Sequence, residues 1–317
     1  MCIFGVRNNQ LFTTVMNLRH NHKLLLSTLV VALLTTSCSL VPLTGRRQIN
    51  LVSDAQVVAI SEQQYRSFIS SAPKSRDMAQ TVRTREMGKR IAAATERYLK
   101  SIGHTEDIKY FRWEFNLIAS NQVNAFCMPG GKIVVYEGIL PVARTDDELA
   151  TVIAHEVAHA VAKHSNERLS QAILRQYGGQ ALGQILSGSS AGAQVIGSVL
   201  YNVGGKLIFE LPYSRKQEYE ADQIGLYLMA LAGYDYHNAP NLWVRMASRS
   251  GGGNQSEMMS SHPNDQNRIK AIREEIPRVE AFMRGGGKVP PSAVPAASKT
   301  KVTKSKSKDK EPLITHY

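Results

Sequence analysis

Residues 145–159 constrain this chain more than any other stretch, because they open a helix and place two histidines and a glutamate on it. Thr145-Asp146-Asp147-Glu148 reads as a capping box. Thr145 accepts from a free backbone N–H, Glu148 reaches back, and the acids suit the positive end of the helix. The helix can run for roughly 30 residues, to the stop signal Gly178-Gly179. Within it lies His155-Glu156-Val157-Ala158-His159. Residues four apart share a helix face, so both imidazoles can meet one metal while Glu156, one residue round, reaches a water on that metal. Two histidines and a carboxylate are the ligand set of a catalytic zinc, which keeps its fourth position for water or substrate. Coordination lowers the pKa of that water toward ~7, and Glu156 can then take its proton and hand it to a leaving amine. So short a pattern also fits a helix with two surface histidines beside an apolar stripe. A third ligand decides between the two.

His164 follows His159 by five positions, about 140° round a continuous helix, so it points off the metal and reads as a polar surface or outer-layer residue. A metzincin arrangement needs Gly at 162 and His at 165, where this chain has Ala162 and Ser165. Carboxylates come from a separate helix, opened by a second capping box at Ser214 and Gln217 and ending at Gly233. Glu218 and Asp222 share a face of it, whereas Glu220 is turned about 200° from Glu218 and faces elsewhere.

An HExxH followed by a Ser-Arg segment that ends in E-x-x-A-D resembles metallopeptidase family forty-eight, the group of HtpX, the CAAX prenyl protease, BepA and LoiP. The likeness spans roughly residues 42–283. It includes Thr44-Gly45-Arg46, Asn124-Ala125-Phe126 through Pro129-Gly130-Gly131, and Ser261-His262-Pro263. Carried over by position, it implies that Glu218 is the third zinc ligand and that Asp222 orients a ligand histidine, a task every zinc site sets its surroundings. It also implies a gluzincin: an α+β, mainly α-helical domain with a small β-sheet beside the HExxH helix, holding one Zn2+ per chain. The edge near Asn124, Ala125 and Phe126 would then lie beside that helix and take substrate as an added strand, reading backbone and tolerating varied sequence. The other reading of this strand is an ordinary core strand. Cys127, where a small or apolar residue is expected, reads as a packed thiol. His262 is expected just outside the helix that Pro263 begins. There it serves as an oxyanion donor, as a reversible fourth ligand that gates the site, or only as a helix cap.

Elsewhere the periodicity predicts helices over 53–69, 74–99, 238–247 and 264–283, with Met87, Ile91, Ala94 and Leu99 on a packing face. Strands are predicted over 111–118, 123–127 and 133–136, the last two as a hairpin. Residues 180–208 read as mobile helical or looped cover, and 250–254 as a flexible link.

The formal charge of +12 invites a nucleic-acid reading, but +8 of it sits at the two ends, residues 1–37 and 288–311. No basic stripe with interleaved aromatics remains between them, which argues against nucleic acid. The three cysteines, Cys2, Cys38 and Cys127, are too few for a disulfide framework. Residues 19–38 read as a basic segment, an apolar run too short for a membrane span, and Thr35-Thr36-Ser37-Cys38, which resembles the lipobox of bacterial lipoproteins. The expected organisation is a signal peptide over 1–37, with Met16 as an alternative start, and a tether over 38–52 lipid-attached through Cys38. A zinc metallopeptidase domain follows over 53–284, then a disordered Lys-rich tail over 285–317. Together with the resemblance this implies a zinc endopeptidase of the bacterial envelope, on the outer membrane facing the periplasm, acting on misfolded or misassembled proteins. Two rivals stand beside it: a chaperone or assembly factor that uses the same cleft with little proteolysis, and a polyanion-binding lipoprotein acting through its tail.

Overall fold

A computed structural model of the protein describes residues 38–178, 182–202, 214–249, 262 and 266–287. The signal peptide, the 250–254 link and the Lys-rich tail beyond residue 287 lie outside these described residues.

Local rules account for most element boundaries. Helix α1 (Asp54–Ser71) opens on a reciprocal capping box between Ser53 and Gln56, and α2 (Met78–Ser101) opens on Asp77, whose carboxylate accepts from the Gln80 N–H. Met87, Ile91, Ala94 and Leu99 of α2 are all buried, as their spacing predicts. After the short α3 (Thr105–Ile108) come β3 (Glu114–Ile118), β4 (Ala125–Met128) and β5 (Lys132–Tyr136). β4 and β5 form the expected antiparallel hairpin, with Cys127 opposite Ile133, and β3 joins β5 in parallel, so the sheet order is β3-β5-β4. The hairpin turns through Gly130 and Gly131, both at positive φ. A side chain at Gly131 would also collide with the Trp113 ring, its Cβ lying only 2.5 Å away.

The centre of the molecule is α4 (Asp146–Val161), whose Leu149, Ala150, Val152, Ile153, Ala154, Val157 and Ala158 are all 1% exposed or less. A helix apolar on every side must be surrounded. α4 packs against α8 (Arg215–Ala232), α2 and β4, with α9 (Ala239–Arg249) and α10 (Gln266–Arg284) completing the shell. Burying each of its large aliphatic side chains contributes about 1.5–3 kcal/mol. The helix is therefore a rigid mount for whatever it carries. The result is a mainly helical molecule with small sheets, as expected.

Three expectations need correction. The single helix predicted to run from 146 to Gly178 is broken: α4 ends at Val161, Lys163 adopts a left-handed conformation (φ 54°), and α5 (His164–Tyr177) starts in a new direction. The Lys163 ammonium is held there by Asp54 and Asp107, each at 2.6 Å. Both acids lie far away in sequence, so local periodicity gives no sign of the break. At the start of α4 only half of the predicted box forms: Thr145 accepts from the Glu148 N–H, but the Glu148 carboxylate accepts from the Arg144 N–H. Finally, the segment read as a tether over 38–52 is packed structure. β1 (Cys38–Leu40) pairs with β2 (Arg47–Ile49), and Val41, Thr44, Gln48, Leu51 and Val52 are buried against the domain. In 180–208, α6 (Leu182–Leu186) and α7 (Ser190–Asn202) are helical, and Ile185, Ile196 and Val199 pack with α5.

Candidate metal centre

Helix α4 presents His155, Glu156 and His159 from its last two turns, all 2% exposed or less. Helix α8 presents Glu218 and Asp222 toward them from its first two turns. It approaches closely because residue 225 is glycine: a Cβ there would lie 3.3 Å from the His155 backbone nitrogen. His262 comes in from the chain ahead of α10 and is fully buried.

The donor atoms converge. His155 Nε2 lies 3.1 Å from His159 Nε2 and 3.5 Å from a Glu218 oxygen, and His159 Nε2 lies 3.4 Å from the other Glu218 oxygen. His262 Nδ1 is 3.3 Å from His155 Nε2 and 3.1 Å from Glu218 Oε1. Zinc bonds of 2.0–2.2 Å set tetrahedral ligand atoms roughly 3.3–3.6 Å apart, so this spacing fits a zinc ion. Among the described residues, these four form the group whose ligand atoms all lie within 4.8 Å of one another. Their chemistry fits as well, since neutral imidazoles and a carboxylate form a normal zinc set. Glu156 is fully buried, and neither carboxylate oxygen makes a well-aligned hydrogen bond, although the Cys127 backbone lies close enough to favour its ionised form. A buried carboxylate without firm partners suits a proton carrier facing a ligand.

The electrostatics separate the two histidines. Burial opposes protonation of His155, but Asp222 and Glu218 outweigh it and push its pKa up to about 9. Burial holds His159 well below its usual value, and the neighbouring His155 adds to the effect. Two nitrogens 3.1 Å apart cannot both carry protons facing each other, so the pair suits a bound cation between them. Burial alone would raise Glu218, yet the charges of His262 and Arg268 hold it well below the carboxylate range. Burial raises Glu156, the direction a general base working near neutrality needs.

An outer layer fixes these groups. Asp222 Oδ1 lies 3.0 Å from His155 Nδ1, and Arg268 of α10 forks onto Asp222 at 2.7 and 2.8 Å while its third nitrogen meets Glu218 at 2.8 Å. Arg268 is fully buried, with its guanidinium 4.2 Å over the Trp243 ring, which in turn packs edge-on against His155. Sequence reasoning missed both Arg268 and Trp243. An arginine on a polar helix gives no local sign of burial. His164 is an outer-layer residue: the break at Lys163 turns it inward, fully buried, with Nδ1 2.8 Å from His159 Nδ1 and Nε2 3.0 Å from Glu220. Glu220 stands outside the metal group, as its rotation implied, but it is buried.

β4 is an edge strand of its sheet and packs against α4. Ala125, Phe126 and Cys127 are buried, as is Asn124 just before it, and Phe126 stacks edge-on against Phe68. Only backbone is left to present along this edge. Cys127 is a buried free thiol whose pKa burial pushes well up, the inert packing role expected of it. Cys38 begins β1.

Peptidase family M48 matches residues 86–276, which include every residue of the metal group and its Asp222–Arg268 clamp. The chain is 33% identical over 256 residues to the mitochondrial metalloendopeptidase OMA1 of Schizosaccharomyces pombe, covering 77% of this chain and 68% of that protein. It is 37% identical over 184 residues to the mitochondrial metalloendopeptidase OMA1 of Arabidopsis thaliana, 58% of this chain and 36% of the relative. To the beta-barrel assembly-enhancing protease of Yersinia pestis it is 27% identical over 166 residues, 51% of this chain and 34% of that one.

Proposed function

The chain belongs to peptidase family M48 and is a metalloendopeptidase, and from that premise we propose that it cuts misfolded or misassembled envelope proteins at a zinc held by His155, His159 and Glu218. The observation that carries this reading is the convergence of those ligand atoms beside a buried, weakly partnered Glu156. When bound, the zinc lowers the pKa of its water toward ~7 and polarises the carbonyl to be attacked. Glu156 accepts the proton of the attacking water and delivers it to the leaving nitrogen. Asp222, clamped by Arg268, keeps His155 turned with Nε2 toward the metal. The β4 edge offers backbone donors and acceptors to an extended client, which supports a broad taste for unfolded segments over a sequence-specific one. A chaperone with a merely structural zinc has no use for a base held like Glu156.

His262 supports a second element of this reading. Its Nδ1 lies 3.3 Å from His155 Nε2 and 3.1 Å from Glu218 Oε1, which supports a role as a fourth ligand that would close the site until a client displaces it. The ring faces Glu218 and His155, which supports the gating role.

The Yersinia relative, a beta-barrel assembly-enhancing protease, supports β-barrel proteins as clients, while the OMA1 relatives are mitochondrial. No helix among the described residues is long and apolar enough to cross a membrane. The lipobox-like Thr35-Thr36-Ser37-Cys38 supports attachment through a lipid on Cys38, and Cys38→Ser is expected to free the protein into the envelope fluid. Continued pelleting with membranes after a salt wash would place the anchor elsewhere. For the metal itself, elemental analysis is expected to give one zinc per chain, lost in His155→Ala and Glu218→Ala. Full occupancy in Glu218→Ala would assign the third ligand to another group.

A further inference from the structure

We propose that Thr44 and Arg46, in the loop between β1 and β2, are positioning residues for the metal centre, holding His159 in its ligand orientation through Glu220 and His164. Both lie outside the family-matched span of 86–276. The inference rests on the zinc site proposed above.

The two ligand histidines are held unequally. His155 meets its carboxylate directly, Asp222 at 3.0 Å. His159 is reached by a longer path. Its Nδ1 faces His164 Nδ1 at 2.8 Å, and His164 Nε2 faces Glu220 Oε2 at 3.0 Å. The proton positions follow from the chemistry. With Nε2 of His159 on a metal, its Nδ1 carries the proton and donates to His164. His164 must then be neutral, accepting at Nδ1 and donating from Nε2 to Glu220. A carboxylate–histidine–metal clamp is thereby lengthened by one imidazole.

Glu220 is fixed by the loop. Thr44 Oγ donates to Glu220 Oε1 at 2.5 Å, and Arg46 Nε donates to Glu220 Oε2 at 2.5 Å. The other two guanidinium nitrogens of Arg46 fork onto Glu167 at 2.7 and 2.8 Å, and Glu167 also accepts from Gln217. Thr44, His164, Glu167 and Glu220 are all buried. Charge-assisted bonds in such a setting are stiff and directional, and lysine could not make both sets at once. Glu220 sits two residues beyond Glu218 on α8, so the loop also braces the helix that brings the third ligand. The loop thus completes the metal centre from outside residues 86–276, although Thr44-Gly45-Arg46 belongs to the wider family resemblance.

The test uses the full chain, stripped of metal and reloaded with zinc against a competing chelator, and separately with cobalt. Arg46→Gln and Glu220→Ala are expected to weaken zinc binding about 10–100-fold and to shift the visible bands of the cobalt form, with helical content retained. Glu220→Gln keeps an acceptor for His164 and is expected to lose less, about tenfold or under. A folded Arg46→Gln that binds zinc as tightly as wild type, with an unshifted cobalt spectrum, overturns the proposal. If Arg46→Gln and Glu220→Ala fail to fold, the milder double variant Thr44→Val with Glu220→Gln decides, and undiminished affinity there overturns it equally. A wild-type chain that binds no zinc strikes instead at the metal-site reading beneath it.

Discussion

His262 separates three chemical roles by one substitution. If it closes the site as a fourth donor, His262→Ala keeps zinc on His155, His159 and Glu218 and raises basal proteolysis, because client no longer has to displace a ligand. That is the outcome the geometry predicts, measured as steady-state cleavage of an unfolded protein alongside zinc content. A fall in kcat of roughly 10²-fold with zinc retained would make it an oxyanion donor instead, and unchanged kinetics would leave only the helix cap. At this scale the sequence was most legible where spacing alone carries chemistry. His155, Glu156 and His159 follow from helix geometry, and Glu218 and Asp222 from a second capped helix read beside the family resemblance. Arg268 was not legible, because its burial depends on how α10 crosses α8, and no local pattern encodes that crossing. His164 reads as an outer-layer residue, and it is one, but its full burial against His159 depends on the break at Lys163, which no local pattern shows.

Among the elements, the α4–α8 crossing decides whether the site assembles. Gly225 sets its closeness, so Gly225→Val is expected to wedge the helices apart. It should cost about 1–3 kcal/mol of stability, as overpacking typically does, and weaken zinc binding, since Glu218 and Asp222 ride on the displaced helix. Chemical denaturation and chelator competition measure the two effects, and a variant with wild-type values of both would remove the crossing from the account. The capping box at Ser214 and the αL glycine at 233 were readable as α8's ends, because caps are local chemistry. The strand hairpin was readable for the same reason. The end of α4 was not, because Lys163 is held in its unusual conformation by Asp54 and Asp107 from two other elements.

At the scale of the whole molecule, a basic total charge conceals a nearly balanced domain, and the sequence showed this once charge was placed by segment. It did not show that residues 38–52 belong to the domain, since a three-residue strand and a loop carry too little periodicity to be seen. The central claim is hydrolysis at a zinc with Glu156 as the base, and incubation of the purified protein with unfolded β-casein, with and without a chelator and beside Glu156→Gln, tests it most directly. The account predicts fragments from the wild-type protein alone, none with chelator, and none from a folded Glu156→Gln that keeps its zinc, because the amide cannot accept the water's proton. Cleavage by Glu156→Gln near the wild-type rate, or cleavage undiminished by metal removal, would contradict it.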